Sequence, residues 1–377
     1  MKRLYWTDPD VCEIDVDVKV ISGNLVKITP IVFHPDEGGQ PADVGSIGDI
    51  KVLKVEVFND DVFLTLERPL NEGTHKAIID RQHRMDMSTQ HTAQHIISAI
   101  AESSLSAQTF GFRIGAKTST LDIKCQLNWD QLNMLETEAN KVIMQNIKIL
   151  TTFGSAPNGL RIREDLLPQK GDELRVVSIG NLDISACCGT HTETTGQVGP
   201  IKIVNLETHK GGTRITYLAG LRTICWTQNE TSILRELRTM ATCKDDELPS
   251  TFMRISENIS TSQKEITLLW EKIIPIEIES ADIFEVEGIK FGILSTNAPN
   301  KFLSKISSML ADRTSGVSIV LSGTSICINS KLASAKDILS KITKAFGGKG
   351  GGSSQSASGQ LLEFVEQSKI KGIFQKS

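Results

Sequence analysis

The sequence predicts an α+β protein with several domains, because the hydrophobic pattern changes twice along the chain. The first part alternates apolar and polar residues as strands do. In the middle, apolar residues also recur at helical spacing. About 100 residues at the end alternate strand and helix patterns. Of the 377 residues, 39 % are hydrophobic and 23 % are charged, which is typical of a globular chain with two or three cores.

Charge and cysteine usage exclude several classes of protein. The net charge of -4 argues against non-specific binding to nucleic acid. No apolar run is long enough for a membrane span, and the N-terminus turns acidic too early for a signal or transit peptide. Seven irregularly spaced cysteines do not form a secreted disulfide pattern, so we expect a cytoplasmic protein.

Residues 1–85 are predicted to form a small β-barrel. The stretches "VKVISGNLVKITPIVF" and "KVLKVEVFNDDVFLTLE" alternate as half-buried strands do, with turn signals between them. In the loop "HPDEGGQPADVG", Gly38 and Gly39 allow close approach of the backbone to a ligand, and Gln40 can both donate and accept hydrogen bonds. Taken alone, an ordinary hairpin loop is the simpler interpretation of this stretch.

Residues 86–222 are predicted to form one α+β domain. A first helix covers "MSTQHTAQHIISAIAESSL", with Ser88 or Thr89 as its N-cap, and a second covers "NWDQLNMLETEANKVIMQNI". Short strands and glycine turns return after about residue 172.

Two short pairs of residues in this domain indicate a metal site. His91 and His95 lie one helical turn apart on one face, and Cys187 and His191 have the same spacing in "CCGTH". Three imidazoles and one thiolate form a soft tetrahedral set that suits Zn²⁺. The helical pair alone is equally well explained as two surface histidines.

Two details of these motifs leave alternatives open. Thr92 follows the first histidine where a zincin has glutamate, so the metalloprotease signature is incomplete. Cys188 could be the ligand in place of Cys187, or could contact the ligands from outside. A disulfide between the two adjacent cysteines is disfavoured by ring strain and by a reducing compartment. The other histidines lack partners at ligand spacing, and we predict solvent-facing or structural roles for His34, His75, His83 and His209.

The rest of the chain is predicted to be a helical linker over residues 223–275 and an α/β domain over residues 276–377. This last domain carries "GGKGGG", followed by a helical pattern in "QLLEFVEQSKIKGIF". The glycine run lacks the P-loop pattern, and composition alone favours a flexible linker. The helical pattern after it instead indicates that the run lies inside a fold. Its exposed amides beside a lysine would also suit a phosphate backbone.

The motifs "GGQ", "HTAQH", "CCGTH" and "GGKGGG", in this order, resemble those of the editing proteins of the alanyl-tRNA synthetase family. In that family an HxxxH pair and a CxxxH pair bind zinc, and the second usually reads C-G-G-T-H. Here Cys188 stands where the family has glycine, and this variant is similar to the free-standing editing proteins. The resemblance covers essentially the whole chain.

The resemblance implies an N-terminal barrel, an editing core shared with threonyl-tRNA synthetase and a C-terminal domain that holds tRNA. It implies one Zn²⁺ per chain, bound by His91, His95, Cys187 and His191. The implied reaction is hydrolysis of mischarged Ser-tRNA(Ala) for translation quality control, with Gly-tRNA(Ala) as a second candidate substrate. Because the chain begins at the editing barrel, we expect no aminoacylation domain.

Further site residues follow from this function. The candidates for recognising the serine hydroxyl are Gln40, Thr92 and Thr190. The candidates for contact with tRNA are Gly38, Gly39, Lys210, Arg214, Gly348, Lys349 and Gly350. Two alternatives remain: an inactive zinc-stabilised module that binds tRNA or protein, and a metal-dependent hydrolase of small esters or amides. The large C-terminal region disfavours the second alternative.

Overall fold

The computed structural model describes residues 3–58, 61–154, 157, 160–161 and 174–375. Its mixture of barrel, sheets and helices confirms the predicted α+β fold class. The chain divides into two compact units, Met1–Glu236 and Leu237–Ser377. The finer division at residues 85, 222 and 275 stays a prediction.

The N-terminal barrel is closed and antiparallel, which confirms the prediction for this region. It follows a short helix α1 (Leu4–Thr7), and its strands are arranged in the order β1-β2-β5-β4-β3-β6. Alternate side chains point into the barrel, so that Val62, Leu64 and Leu66 of β5 are buried while their neighbours are half-buried. The strands are β1 (Glu13–Ser22), β2 (Leu25–Thr29), β3 (Gly45–Ile47), β4 (Ile50–Phe58), β5 (Asp61–Leu66) and β6 (Gly73–Ile79).

Helix α2 (Arg81–Leu105) begins well before the predicted start. Asp80 is its N-cap, and the Asp80 carboxylate accepts a hydrogen bond from the backbone amide of His83. The prediction of Ser88 or Thr89 as N-cap is therefore wrong. The first two turns, "RQHRMD", are mostly polar and carry no apolar periodicity, so the hydrophobic pattern could not reveal them.

The middle of the chain contains two sheets and a second long helix. The four-stranded sheet has the order β12-β13-β8-β7, and the three-stranded sheet has the order β11-β10-β9. Helix α3 (Trp129–Met144) confirms the second predicted helix, and Asn128 and Gln131 form a capping box at its start. The strands are β7 (Thr109–Ile114), β8 (Ser119–Ile123), β9 (Ile149–Gly154), β10 (Leu174–Ile179), β11 (Asp183–Ala186), β12 (Ile201–His209) and β13 (Gly212–Ala219), with a 3-10 turn at Thr195–Val198.

Two long helices follow, α4 (Leu221–Ala241) and α5 (Leu248–Glu279). Pro249 lies in the first turn of α5, where its missing amide hydrogen breaks no helical hydrogen bond. Pro249 therefore marks the start of α5, after the break between the two helices. Helix α5 then continues through Pro275 to Glu279. None of the helices in the described residues is both long and apolar enough to cross a membrane.

The last part of the chain forms a six-stranded sheet in the order β14-β15-β16-β17-β19-β18, with helices packed on it. Strands β15 and β16 are parallel and the other neighbours are antiparallel. The elements are β14 (Asp282–Val286), β15 (Ile289–Ser295), α6 (Asn300–Thr314), β16 (Val317–Ser322), β17 (Ser325–Ser330), α7 (Ala335–Phe346), β18 (Gly348–Gly352), β19 (Ser356–Leu361) and α8 (Gln367–Gln375).

At the glycine-rich end the interpretation from composition does not hold, and the predicted extent of the last helix is wrong. The run "GGKGGG" is not a linker, because Gly348–Gly352 form strand β18, which pairs with β19 at the sheet edge. The helical pattern predicted after it covers too much, since β19 continues to Leu361 and α8 begins only at Gln367. Glycine has no side chain to reveal a strand by alternation, so the pairing could not be read from the sequence.

Candidate metal centre

Helix α2 presents His91 and His95 toward the interior. Both side chains are buried, and their ring centroids are 5.1 Å apart. The helix is buried on every side from Met87 to Ala101, because strands and α3 surround it. The two imidazoles therefore lie one turn apart in a place that solvent does not reach.

The loop after β11 supplies Cys187 and His191. Arg175 of β10 fixes this loop, since its Nη1 donates hydrogen bonds to the carbonyl oxygens of Cys187 (2.6 Å) and Gly189 (2.9 Å). A Cβ atom on Gly189 would lie 2.2 Å from the ring of His91. Only glycine allows the loop to approach α2 this closely.

The four predicted ligands converge. The Sγ atom of Cys187 lies 3.4 Å from Nε2 of His91 and 3.2 Å from Nε2 of His191. One possible ligand atom from each of His91, His95, Cys187 and His191 lies within 4.8 Å of the other three, so the group could hold a metal ion. Cys188 is exposed, outside this group, and its carbonyl oxygen accepts a hydrogen bond from Trp6. Its sulfur therefore does not replace that of Cys187.

Hydrogen bonds orient two of the imidazoles. Nδ1 of His91 lies 2.8 Å from Oε1 of Gln40, and Nδ1 of His191 lies 3.3 Å from Oγ1 of Thr92. With Nδ1 engaged in this way, Nε2 of each ring faces the centre. Such outer contacts fix the tautomer and the direction of a metal-binding histidine.

The third imidazole, that of His95, has the most extensive hydrogen-bond network behind it. Nδ1 of His95 lies 2.7 Å from Oδ2 of buried Asp183. Arg161 donates two hydrogen bonds of 2.9 Å to this carboxylate, and Ser185 donates further ones. Sequence reasoning missed Asp183 and Arg161, because a single acid beside a turn and a distant arginine carry no ligand spacing.

The electrostatics favour a thiolate at Cys187 beside neutral imidazoles at His91 and His191. Burial opposes ionisation of Cys187, yet nearby His91 and His191 hold its pKa well below the usual range. Burial lowers the pKa of His191 to about 3 and also lowers that of His91. At His95 burial acts in the same direction, but hydrogen bonds with Asp183 and Cys187 outweigh it and raise the pKa to about 9.

The three predicted hydroxyl-recognition residues lie beside this centre. Gln40 donates to Oγ1 of Thr190 (2.9 Å) and accepts from the backbone amide of Thr190 (3.0 Å). Ser88, which sequence reasoning missed, donates to the same Oγ1 (2.7 Å). Thr92 contacts His191 as described above. The polar atoms of Gln40 and Thr190 are thus already engaged with each other.

The glycines before Gln40 differ in their surroundings. Gly39 has a φ of +84°, and a Cβ there would lie 2.8 Å from the carbonyl oxygen of Phe112, so this position requires glycine. Gly38 has a φ of +60° and open space where a Cβ would lie. Both glycines are exposed, but only Gly39 lies against another part of the protein, the backbone and ring of Phe112.

The other predicted tRNA contacts belong to strands and turns of the two units. Lys210 is exposed at the turn between β12 and β13. Arg214 donates from Nε to Oδ1 of Asp122 (2.6 Å), and this hydrogen bond holds the pKa of Asp122 below its usual value. Arg214 is therefore an ion-paired cation. In the second unit, the exposed strand β18 carries Gly348, Lys349 and Gly350.

The remaining histidines have structural surroundings. His34 is buried with its ring 5.1 Å from that of Tyr5, and burial lowers its pKa to about 3. Its ring nitrogens have no hydrogen-bond partner among the described residues. His75 and His83 contact backbone carbonyl oxygens, and His209 lies 3.0 Å from Arg214.

One family model and several relatives match this chain. The family model of the threonyl and alanyl tRNA synthetase second additional domain matches residues 174–216, which include Cys187 and His191. Alanine–tRNA ligases of Methanoculleus marisnigri and Methanothrix thermoacetophila are 28 % and 31 % identical to the chain, over 95 % of its length. The chain spans 41 % and 42 % of those ligases. Alanyl-tRNA editing protein AlaX-L of Pyrococcus horikoshii is 27 % identical, over 96 % of this chain and 95 % of that protein.

Residues 174–216 are thus similar to the second additional domain of threonyl- and alanyl-tRNA synthetases. This domain contains the loop that contributes Cys187 and His191 to the centre. The family model and the AlaX-L relative together support an AlaX-type editing protein, which confirms the resemblance found in the sequence motifs.

Proposed function

We propose that the chain hydrolyses the ester between a wrong amino acid and the 3′ end of tRNA(Ala) in the cytoplasm. Serine is the chief amino acid removed, and glycine is a second candidate. One observation carries the proposal: a buried, oriented three-histidine and one-cysteine centre lies in a chain that aligns from end to end with an editing protein.

We propose Zn²⁺ as the metal of this centre. Three imidazoles and one thiolate are the soft, compact donor set that Zn²⁺ prefers, and a lowered thiol pKa favours its binding. Gln40, Thr92 and Asp183 fix the directions of the three rings. When bound, the ion supplies a positive charge that attracts and orients the aminoacyl end.

The chain itself supplies positioning rather than a strong base. An aminoacyl ester is already activated, so holding it beside a water molecule removes much of the barrier. The hydroxyls of Thr92 and Thr190 flank the centre and are buried. Gln40, which bonds both His91 and Thr190, keeps these groups in place and acts as a positioning residue.

Discrimination between serine and alanine follows from hydrogen bonding. The substrate hydroxyl would take the place of one partner in the network formed by Gln40, Ser88 and Thr190. An alanyl ester has no hydroxyl to form this hydrogen bond, so it would gain less on binding than a seryl ester.

We propose that exposed backbone amides and lysines bind the tRNA. Strand β18 offers the amides of Gly348 and Gly350 beside Lys349, all on the surface. Gly38 and Lys210 are further exposed candidates in the first unit. Arg214 contributes less, because its charge is already paired with Asp122.

The test is to measure deacylation of seryl-tRNA(Ala) and alanyl-tRNA(Ala) side by side, using the purified full chain with its metal retained. We expect fast release of serine while alanine stays attached. Equal release of both would refute the proposed selectivity.

The second candidate is a zinc-stabilised module that binds tRNA without turnover. Four protein ligands are typical of a structural zinc site, and the polar atoms of Gln40 and Thr190 already satisfy each other. Serine release at the spontaneous rate, with zinc present and tRNA bound, would favour this candidate over the hydrolase.

A further inference from the structure

Two aromatic side chains lie at the rim of the loop that carries Cys187. Nε1 of Trp6 donates a hydrogen bond to the carbonyl oxygen of Cys188 (2.8 Å). The ring centroids of Trp6 and Phe153 are 6.2 Å apart, with an angle of 41° between the ring planes. Trp6 is half-buried, whereas Phe153 is 42 % exposed. This pair, called the aromatic platform below, offers an exposed ring face next to the metal centre.

The strand register sets the distance between the aromatic platform and the centre. Phe153 of β9 lies directly opposite Arg175 of β10. Cys187 continues the same row, because its backbone amide donates to the carbonyl oxygen of Arg175 (3.4 Å). Neighbouring strands are about 4.8 Å apart, so the backbones of Phe153 and Cys187 are separated by two strand spacings, roughly 10 Å. Residues directly opposite each other share a face of the sheet, so the Phe153 ring lies on the face that carries the Arg175 side chain.

The ring of Trp6 is held in place by its neighbours. The guanidinium carbons of Arg3 and Arg175 lie 4.8 Å and 5.8 Å from the centroid of this ring. Arg175 is itself buried and bonded to two carbonyl oxygens of the metal loop. The adjacent Tyr5 is buried in the core of the barrel. A ring that is already fixed loses little freedom when a ligand binds beside it.

The covalent structure of the proposed substrate indicates what occupies the aromatic platform. The ester joins the amino acid to the terminal ribose, so the terminal nucleobase must lie within one nucleoside's length of the centre. Gln40 and Thr190, the residues proposed to recognise the serine hydroxyl, are fully buried. The amino acid therefore points inward and the base points outward, toward the surface on which Phe153 is exposed. Proteins commonly bind unpaired nucleobases by stacking them on aromatic side chains.

We propose that the terminal nucleobase of the aminoacyl-tRNA stacks on Phe153, while Trp6 holds that ring against the metal loop. Phe153 is then a substrate-binding residue, because the stacked base sets how far the ester reaches into the centre. Every base has a stacking face, so this contact recognises a nucleobase and not the identity of the tRNA. The inference rests on the proposed hydrolysis for its ligand.

The first test measures binding of tRNA(Ala) that carries serine through a non-hydrolysable amide at its 3′ end. Phe153→Ala should weaken filter binding of this probe by about 5- to 150-fold, the range that one stacked base contributes. Phe153→Trp keeps an aromatic face and should bind as tightly as the unmodified chain. Phe153→Leu keeps apolar bulk without that face and should bind nearly as weakly as Phe153→Ala. The matched control is Phe58→Ala, which removes a 68 % exposed ring from β4 and should leave binding unchanged.

The second test removes the base instead of the ring. An abasic terminal nucleotide keeps the ribose and the amide but has no base to stack. In the unmodified chain it should weaken binding as much as Phe153→Ala does, and in Phe153→Ala it should cause no further loss. Losses that simply add, or normal binding of the complete probe by Phe153→Ala, would overturn the proposal. Circular dichroism and metal content should be the same in all variants.

This proposal and the proposed hydrolysis fail separately. The amide probe is not hydrolysed, so a Phe153-dependent contact with its base would support the aromatic platform even in a chain that releases serine only at the spontaneous rate. Conversely, selective release of serine with the same kcat/KM by the unmodified chain and by Phe153→Ala would leave the hydrolase intact and overturn the assignment of Phe153.

Discussion

At the residue scale, the centre is oriented by side chains that are not among its four candidate ligands. Four ligands could be predicted because two pairs repeat at ligand spacing in sequence. The outer partners of His95 could not, since Asp183 and Arg161 lie far from it in sequence and only the fold brings them together. Likewise, only the fold brings Ser88 of α2 to Thr190. Spacing along a chain reveals neighbours on one helix or loop, whereas contacts between elements depend on the tertiary structure.

The substitution Asp183→Asn tests this dependence on an outer partner. The amide keeps the shape but loses the negative charge that orients His95, so we expect metal affinity to fall by about 10- to 100-fold. Affinity is measured by competition with a chromophoric chelator. Asp10→Asn changes an exposed acid and should have no effect. Unchanged affinity in Asp183→Asn would show that the carboxylate does not support the site.

At the element scale, a buried ion pair ties α2 to the barrel. Arg84 on the second turn of the helix donates from Nε to Oδ1 of Asp43 (2.8 Å), in the loop between β2 and β3. Both side chains are almost fully buried. Arg84 also donates to the carbonyl oxygens of Pro9 and Val32. The pair therefore sets how the loop that carries Gln40 meets the helix that carries His91.

Removing one partner of the buried pair between Arg84 and Asp43 should destabilise the folded chain. Asp43→Ala leaves a buried, uncompensated guanidinium, and we expect the free energy of unfolding to fall by about 3–5 kcal/mol. The exposed pair between Arg68 and Asp49 provides the control, and Asp49→Ala should cost less than about 1 kcal/mol. Both are measured by urea denaturation. Equal costs for the two variants would contradict the structural role of the buried pair.

The accuracy of the element predictions depended on side-chain periodicity. Strands β1, β2, β4 and β5 and helix α3 could be predicted because their apolar residues alternate or repeat on one face. The start of α2 and strand β18 could not. The former is polar in its first turns, and the latter is made almost entirely of glycine. In both, backbone pairing and capping decide the structure, and these leave little trace in the hydrophobic pattern.

At the scale of the whole molecule, the proposed tRNA contacts should show in the salt dependence of binding. A lysine that neutralises one phosphate adds about one unit to the slope of log affinity against log salt. Lys349→Ala should therefore weaken tRNA binding and lower that slope by about 1, as measured by filter binding at several salt concentrations. The control is Lys336→Ala, an exposed lysine of α7. An equal slope in Lys349→Ala and the unmodified chain would remove β18 from the interface.

The central claim is that a metal centre with Cys187, rather than Cys188, as its sulfur ligand supports hydrolysis of mischarged tRNA. The most direct measurement compares zinc content and seryl-tRNA(Ala) deacylation in Cys187→Ala and Cys188→Ala. We predict that Cys187→Ala loses both and that Cys188→Ala keeps both, because only Cys187 points its sulfur at the imidazoles. Full deacylation by a zinc-free Cys187→Ala protein would contradict the account.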